Sequence, residues 1–322
     1  MAPSTRKLLI VFCALLVVTL AYSMLERRRT TSRTTTFVRV NVEDITRIEV
    51  RGDDGVEVAM ELQADRWVIV SPITYPANQA NVQSLLDKVG ELSVTNLVSS
   101  NPANHELYEV GIDSGTLVRL LGGRDGSRRL LTFYVGGITT DISGTYIREF
   151  GVDEVFAASG LLRGYFDKTL SAWRDRTVLT LPPDEITALS VASTEYSFML
   201  TRRGMVPGGP DAAWILQTGG EAVAADSTMA ARLIRTAASL SASDFPPAGT
   251  EANIDWEVPA TRIEMTLSTG DRVGITVIPI PDDESRSYVR KDGDDTVFIV
   301  YRSTLDSIAR DPESLRAQEP GL

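Results

Sequence analysis

The chain is poor in the residues that build most active and metal sites. It has one cysteine, Cys13, and one histidine, His105, among 322 residues. A disulfide framework, a cysteine-rich zinc site and a histidine cluster are therefore excluded within the chain. It also lacks an excess of positive charge. The 32 basic side chains are outnumbered by 43 acidic ones, for a net charge of −11, which repels a phosphate backbone and argues against a nucleic-acid partner. There is no Gly-x-Ser-x-Gly elbow to present a nucleophile, and no glycine pair is followed by the Gly-Lys-Ser/Thr of a phosphate loop. The pairs Gly122-Gly123, Gly136-Gly137, Gly208-Gly209 and Gly219-Gly220 read as turns. No catalytic, cofactor-binding or metal-ligating set stands out, and the expectation is a protein that is not an enzyme.

The amino terminus is rich in apolar residues. Arg6-Lys7 precede a run from Leu8 to Leu25. A helix over that run rises roughly 27 Å, enough to span a bilayer. The competing reading is a cleaved signal peptide, with Leu8 to Leu20 as its apolar region and Ala21-Tyr22-Ser23 as a small-x-small site. The length of the run favours the uncleaved anchor. Cys13 has no lipobox-like context. Charge alone points the wrong way for export, because Arg27, Arg28, Arg29 and Arg33 outnumber Arg6 and Lys7. Residues 26–36, rich in Arg, Thr and Ser, read as a flexible stalk.

Beyond the stalk the sequence echoes itself. Tyr146-Ile-Arg-Glu-Phe-Gly-Val-Asp-Glu-Val-Phe156 matches Tyr288-Val-Arg-Lys-Asp-Gly-Asp-Asp-Thr-Val-Phe298 in six of eleven places. Further matches fall in the same order: Ile45-Thr46 with Ile186-Thr187, Trp67 with Trp214, and Leu85 and Leu92-Ser93 with Leu233 and Leu240-Ser241. The drift in spacing has causes in loops, since the second copy carries Pro207-Gly-Gly-Pro-Asp211 and the first a longer turn at 122–127.

Alternating apolar and polar residues over Thr46–Val50 and Val56–Leu62, split by Arg51-Gly-Asp-Asp-Gly55, predict a hairpin, and Arg66–Val70 a third strand. Val82, Leu85, Leu86, Val89 and Leu92 recur at helical spacing behind Asn78 as a cap. Ala230, Leu233, Ile234, Ala237 and Leu240 repeat the pattern behind Asp226. Strands are expected over 117–121, 130–135, 144–148 and 154–157, then a short helix over 160–166. The expectation is an α+β chain of two tandem, mostly antiparallel β modules with one main helix each, after an N-terminal transmembrane helix. The boundaries are a stub at 1–7, the anchor or signal peptide at 8–25, the stalk at 26–36, a first module at 37–168, a linker at 169–185, a second module at 186–310 and a frayed tail at 311–322.

Each conspicuous polar cluster has a plainer reading. Arg51-Gly52-Asp53 spells an integrin tripeptide but sits where a turn is expected. Asp282-Asp283-Glu284 and Asp292-Gly-Asp-Asp295 can offer oxygens to calcium but lack the alternating spacing of a calcium loop, so solvated turns are expected. His105, in a loop before Tyr108, is expected to cap or to lie on the surface. Trp67 and Trp214 read as core, as do Tyr146 and Tyr288, although a paired aromatic at a domain edge can contact a partner.

The order Trp67, Ala77-Asn78 opening a Leu-rich helix, Tyr108-Glu-Val-Gly-Ile-Asp113, Val135-Gly136, Tyr146-Ile-Arg148 and Val155-Phe156 resembles the domain of unknown function 4340 family. Trp173-Arg-Asp-Arg-Thr-Val178 fits a further segment of it, whereas Trp256-Glu-Val-Pro259 departs from the pattern. The resemblance spans roughly Ile45 to Ile308 and brings no catalytic residues. It implies a single-pass protein of the bacterial inner membrane, held by Leu8–Leu25 with its bulk in the periplasm, encoded beside a gliding-motility-type ABC transporter whose subunits are its expected partners. An accessory or scaffold role is the functional expectation. The alternative is a periplasmic module whose cleft between the copies takes a glycan or a peptide.

Overall fold

The computed structural model describes residues 40–203, 214–250 and 253–317. The segments expected to form the anchor and the stalk, and Cys13, lie outside the described residues. Among the described residues no helix is long and apolar enough to cross a membrane.

The fold is mostly antiparallel β with few helices. The first half runs β1 (Ile45–Arg51), β2 (Glu57–Gln63), β3 (Arg66–Ser71), β4 (Tyr75–Pro76), α1 (Gln79–Gly90), β5 (Val94–Ser99), β6 (Thr116–Gly122), β7 (Arg128–Ile138), β8 (Gly144–Glu149), β9 (Val155–Ser159), α2 (Arg163–Phe166) and α3 (Leu170–Trp173). The second runs β10 (Thr177–Thr180), β11 (Ile186–Ser193), β12 (Ser197–Arg202), β13 (Trp214–Thr218), β14 (Glu221–Ala224), α4 (Ser227–Ala238), β15 (Ser239–Ser241), β16 (Thr261–Leu267), β17 (Arg272–Ile280), β18 (Asp283–Lys291), β19 (Val297–Tyr301) and α5 (Arg302–Ile308).

A nine-stranded sheet has the order β4-β3-β2-β1-β6-β7-β8-β9-β5, and an eight-stranded one the order β14-β13-β12-β11-β16-β17-β18-β19. Eight positions correspond one to one. The correspondence extends to local detail. A 3-10 turn precedes each first strand, at Val42–Asp44 and Pro183–Glu185. Trp67 and Trp214 are both buried, and their carbonyls accept from Ala77 and Ala225 at 3.1 and 2.9 Å.

Both main helices follow the sequence pattern except at its last members, since Leu92 lies beyond α1 and Leu240 lies in β15. Val82, Leu85, Leu86 and Val89 are buried on α1, and Ala230, Leu233, Ile234 and Ala237 on α4. Each buried Leu, Ile or Val stabilises by roughly 1.5–3 kcal/mol. Orphan amides at the helix starts are met by side chains: Asn78 Oδ1 accepts from Asn81 N at 3.1 Å, and Asp226 Oδ1 from Thr228 N and Met229 N at 2.9 Å.

Two expected irregular segments are ordered. The linker expected over 169–185 holds α3 and β10, and Trp173 within it is fully buried. The tail expected to fray from Asp311 forms a 3-10 turn over Pro312–Leu315, with Leu315 fully buried. The physical reason is the same in both places, because each segment satisfies backbone groups ahead of a main helix. Asn78 N donates to Trp173 O at 2.7 Å and Asp226 N to Leu315 O at 2.9 Å. Asp175 N donates to Pro76 O at 2.9 Å and Ala317 N to Ala224 O at 3.0 Å.

The chain divides into two compact units. One comprises residues up to Ile48 with Leu86–Phe166, and the other Glu49–Leu85 with Asp167 onward. Strands β2 to β4 fall within the second of these units. The return segment explains part of this, since Arg174, Asp175 and Ala172 all bond to residues of the 76–81 stretch. The second unit's core includes Ile186, Leu189, Leu200, Leu216, Leu233, Ile263, Met265 and Val300, and Tyr75 packs against it.

Candidate functional surface

The polar clusters singled out from sequence are engaged locally. In the Arg51–Gly55 turn, Gly55 N donates to Gly52 O at 3.1 Å, Val56 N to Asp54 Oδ1 at 2.9 Å and Asp53 N to Asp167 Oδ1 at 3.2 Å. A Cβ on Gly52 would lie 2.6 Å from Asp167 Oδ1, so the glycine permits the Asp167 contact. Asp283 accepts from Ser285 N and Oγ and from Arg286 Nε, at 3.0, 2.7 and 2.6 Å. These bonds, the serine hydroxyl first, hold its carboxyl at about 2. Asp292 pairs with Arg262, whose Nη1 also donates to Thr276 Oγ1 at 2.8 Å. Asp294 accepts from Thr296 N at 2.9 Å. Among the described residues no group of three or more His, Cys, Asp or Glu is placed to hold a metal ion.

The first half carries its own version of the Asp283 turn. Asp141 accepts from Thr139 Oγ1, Ser143 Oγ and Ser143 N at 2.6, 2.6 and 3.2 Å, and its carboxyl too is held at about 2, chiefly by Ser143. Next to it the two halves differ. Ile142 stands 71 % exposed with φ +59°, where Glu284 follows Asp283 in the second half.

His105 closes the 3-10 turn Pro102–Asn104, and its Nε2 lies 2.9 Å from Asp153 O. The loop that follows is strapped to one face of the first sheet. Tyr108 packs on Tyr146 with centroids 4.7 Å apart. Arg148, 6 % exposed, donates from Nε to Val110 O at 2.9 Å and from Nη1 to Val152 O at 3.0 Å, and its guanidinium lies 4.4 Å from the Tyr134 centroid. Burial lowers its pKa, opposed by Tyr134. A Cβ on Gly136 would lie 2.4 Å from Tyr108 O, so glycine alone lets the loop approach β7. The quoted motifs around Tyr108, Gly136 and Tyr146-Ile-Arg148 thus meet at one strap. In the second half Arg290 stacks 4.3 Å from the Trp256 ring, the aromatic at which the motif departs.

The Trp173-Arg-Asp-Arg segment has a comparable task. The Arg174 guanidinium lies 4.3 Å from the Tyr75 ring and 3.4 Å from that of Phe245, and those rings meet edge-on at 5.7 Å. Arg176 Nε donates to Ser171 O, and Arg176 O accepts from Ala242 N at 2.7 Å. Sequence inspection missed this role, because the bonded partners lie far away along the chain.

The clefts within each unit are small. One of about 170 Å³ is lined by Tyr196, Ser287, Arg302 and Asp306. A depression of about 400 Å³ lies on the open face of β11 to β14 around Ser190, Met199 and Gln217. Another of about 420 Å³ lies beside β5, between Asn96, Val98, Thr139, Ser143 and Tyr146.

A family model described as "Domain of unknown function (DUF4340)" matches residues 67–255, more than half of the chain. No curated protein and no solved structure matches the chain. The family match covers Trp67, the Tyr108 strap, Gly136, Arg148 and the Trp173-Arg-Asp-Arg segment, so the chain belongs to the DUF4340 family.

Proposed function

We propose that the chain is a non-enzymatic accessory or scaffold protein, anchored in the bacterial inner membrane by Leu8–Leu25 with its bulk in the periplasm, and that it associates with an ABC-type transporter. In this reading the two like-ordered sheets are tandem copies of one module. The observation that carries it is the pairing of an apolar run of membrane-spanning length with modules whose conspicuous side chains strap loops and strands in place. Arg148, Arg174 and Asp283 are engaged in contacts that hold the fold, which leaves the outer surface to act by contact. The transporter association rests on the family resemblance. Purification of the tagged full chain from membranes in mild detergent is expected to recover ABC transporter subunits in stoichiometric amounts. Recovery of none, with the chain itself intact, overturns the association.

A further inference from the structure

A β-sheet edge exposes unpaired backbone donors and acceptors, and proteins cover, charge or shorten such edges to prevent unwanted pairing. The two main sheets have four edges, formed by β4, β5, β14 and β19. Three are covered by the chain itself. Beside β4, Asp175 N donates to Pro76 O and Ala77 bridges to Arg174. Beside β14, Ala317 N donates to Ala224 O and Ala225 bridges to Arg316. Beside β19, Ile299 N donates to Asp244 O at 2.8 Å and Ser243 N to Ile299 O at 2.8 Å. The fourth edge, β5, is the last strand of its sheet, and among the described residues no strand lies beyond it.

The β5 edge also lacks charge. No Asp, Glu, Lys or Arg occurs from Leu92 to Asn104, in a chain that is 23 % charged overall. Leu97 and Val98 on the strand are 56 % and 36 % exposed. The corresponding stretch of the second half, Ser243-Asp-Phe-Pro-Pro247, carries a charge and two prolines that cannot donate to a ladder. A second feature adjoins the edge. The depression of about 420 Å³ is lined by Asn96 and Val98 of β5, Ala157 of β9, Tyr146 of β8 and the Thr139–Ser143 turn. Strand-addition sites combine these two elements, an open edge for main-chain bonds and a pocket for alternate side chains.

We infer that β5 is a strand-addition site whose occupant is an extended segment of a different polypeptide without acidic side chains, paired along Val94–Ser99 with one side chain in the depression beside Val98, Tyr146 and Asp141. A second copy of the chain fits less well. Each copy carries −11, which opposes close approach of two. The ladder of β5 with β9 shifts register between Val94 and Asn96 and again between Leu97 and Ser99, and such bulges twist an edge away from a rigid copy of itself. A flexible peptide can follow the twist. The inference does not depend on transporter association, since the edge is a property of the first sheet alone.

The test uses the full chain in detergent micelles and, as probe, a short capped peptide alternating threonine and valine with a lysine at each end. Amide hydrogen exchange over 94–99 is expected to be fast in the free chain and to slow at least about tenfold on saturation. Leu97→Lys and Val98→Lys, both at exposed positions, are expected to weaken binding about tenfold or more while leaving the unfolding midpoint unchanged. A probe with proline at alternate positions is expected not to bind. Three outcomes overturn the inference: no binding by the threonine–valine probe, equal binding by the lysine variants, or slow exchange over 94–99 already in the free chain. In the last case the measured mass distinguishes cover by a second copy from cover by the chain's own amino-terminal residues.

Discussion

The backbone amide of Asn78 donates to the carbonyl of Trp173 at 2.7 Å, and the pair is matched by Asp226 and Leu315 at 2.9 Å. Each half therefore ends by returning to the start of its own main helix. The bond satisfies an amide at the point where α1 or α4 begins, and the buried side chain, Trp173 or Leu315, locks the return in place.

The first prediction follows from that lock. Leu315→Ala is expected to destabilise the chain by about 2–5 kcal/mol and Trp173→Ala by about 3–5 kcal/mol, read from urea unfolding midpoints. Substitutions in a frayed tail stay within about 0.5 kcal/mol. A Leu315→Ala variant with an unchanged midpoint would refute the return-segment account.

A glycine pair separates close approach from mere turn formation. Gly136→Ala is expected to cost about 1–3 kcal/mol, because its Cβ would meet Tyr108 O at 2.4 Å and Val110 Cγ1 at 2.6 Å. Gly164→Ala on α2 meets nothing within 4 Å and is expected to be neutral or slightly stabilising. Thermal unfolding of the two variants side by side checks the contrast, and equal midpoints contradict it.

Arg148→Lys is expected to behave as a loss rather than a conservative change. A lysine cannot lie flat on Tyr134 while reaching the carbonyls of both Val110 and Val152. The expected cost is about 1–3 kcal/mol, with faster amide exchange over 105–115 as the strap loosens. Unchanged exchange there would show that Arg148 does not hold the loop.

Asp141 and Asp283 give a pH signature. Both carboxyls are held at about 2, below the ordinary aspartate value of about 4, by hydroxyl and amide donors and, at Asp283, by the Arg286 guanidinium, all of which favour the charged form. Their contribution is therefore present above the unfolded value near 4 and is lost as pH falls toward 2. Asp141→Asn with Asp283→Asn is expected to flatten the fall in urea midpoint between pH 4 and pH 2, and an identical slope in the double variant contradicts the assignment.

Much of this fold is legible in the sequence, and the reasons are local. Helix α1 shows through the spacing of Val82, Leu85, Leu86 and Val89, and the long strands through their alternation. The echo of Tyr146–Phe156 in Tyr288–Phe298 corresponds to β8–β9 and β18–β19, strands at the same place in each sheet order. What escapes is set by distant partners. Strand β4 has two residues, and its neighbours Arg174 and Asp175 lie almost a hundred positions away, so no local pattern marks it. β5 breaks alternation at its two register shifts, so no local pattern marks it as a strand. The Trp173-Arg-Asp-Arg segment is recognisable as a family motif, but its stacking between Tyr75 and Phe245 exists only in the folded chain. The acidic turns are conspicuous by composition, whereas Ser285 and Arg286, which engage Asp283, are visible only as neighbours.

We propose an exported module held to the membrane by Leu8–Leu25. Protease accessibility in intact spheroplasts tests it most directly, comparing the full chain with a version lacking residues 1–36. The account predicts digestion of the full chain from outside while its amino-terminal fragment stays in the membrane, and loss of membrane retention in the shortened version. Protection of the full chain until the spheroplasts are lysed would contradict it. The domain would then face the cytoplasm, as the Arg27–Arg29 cluster taken alone favours.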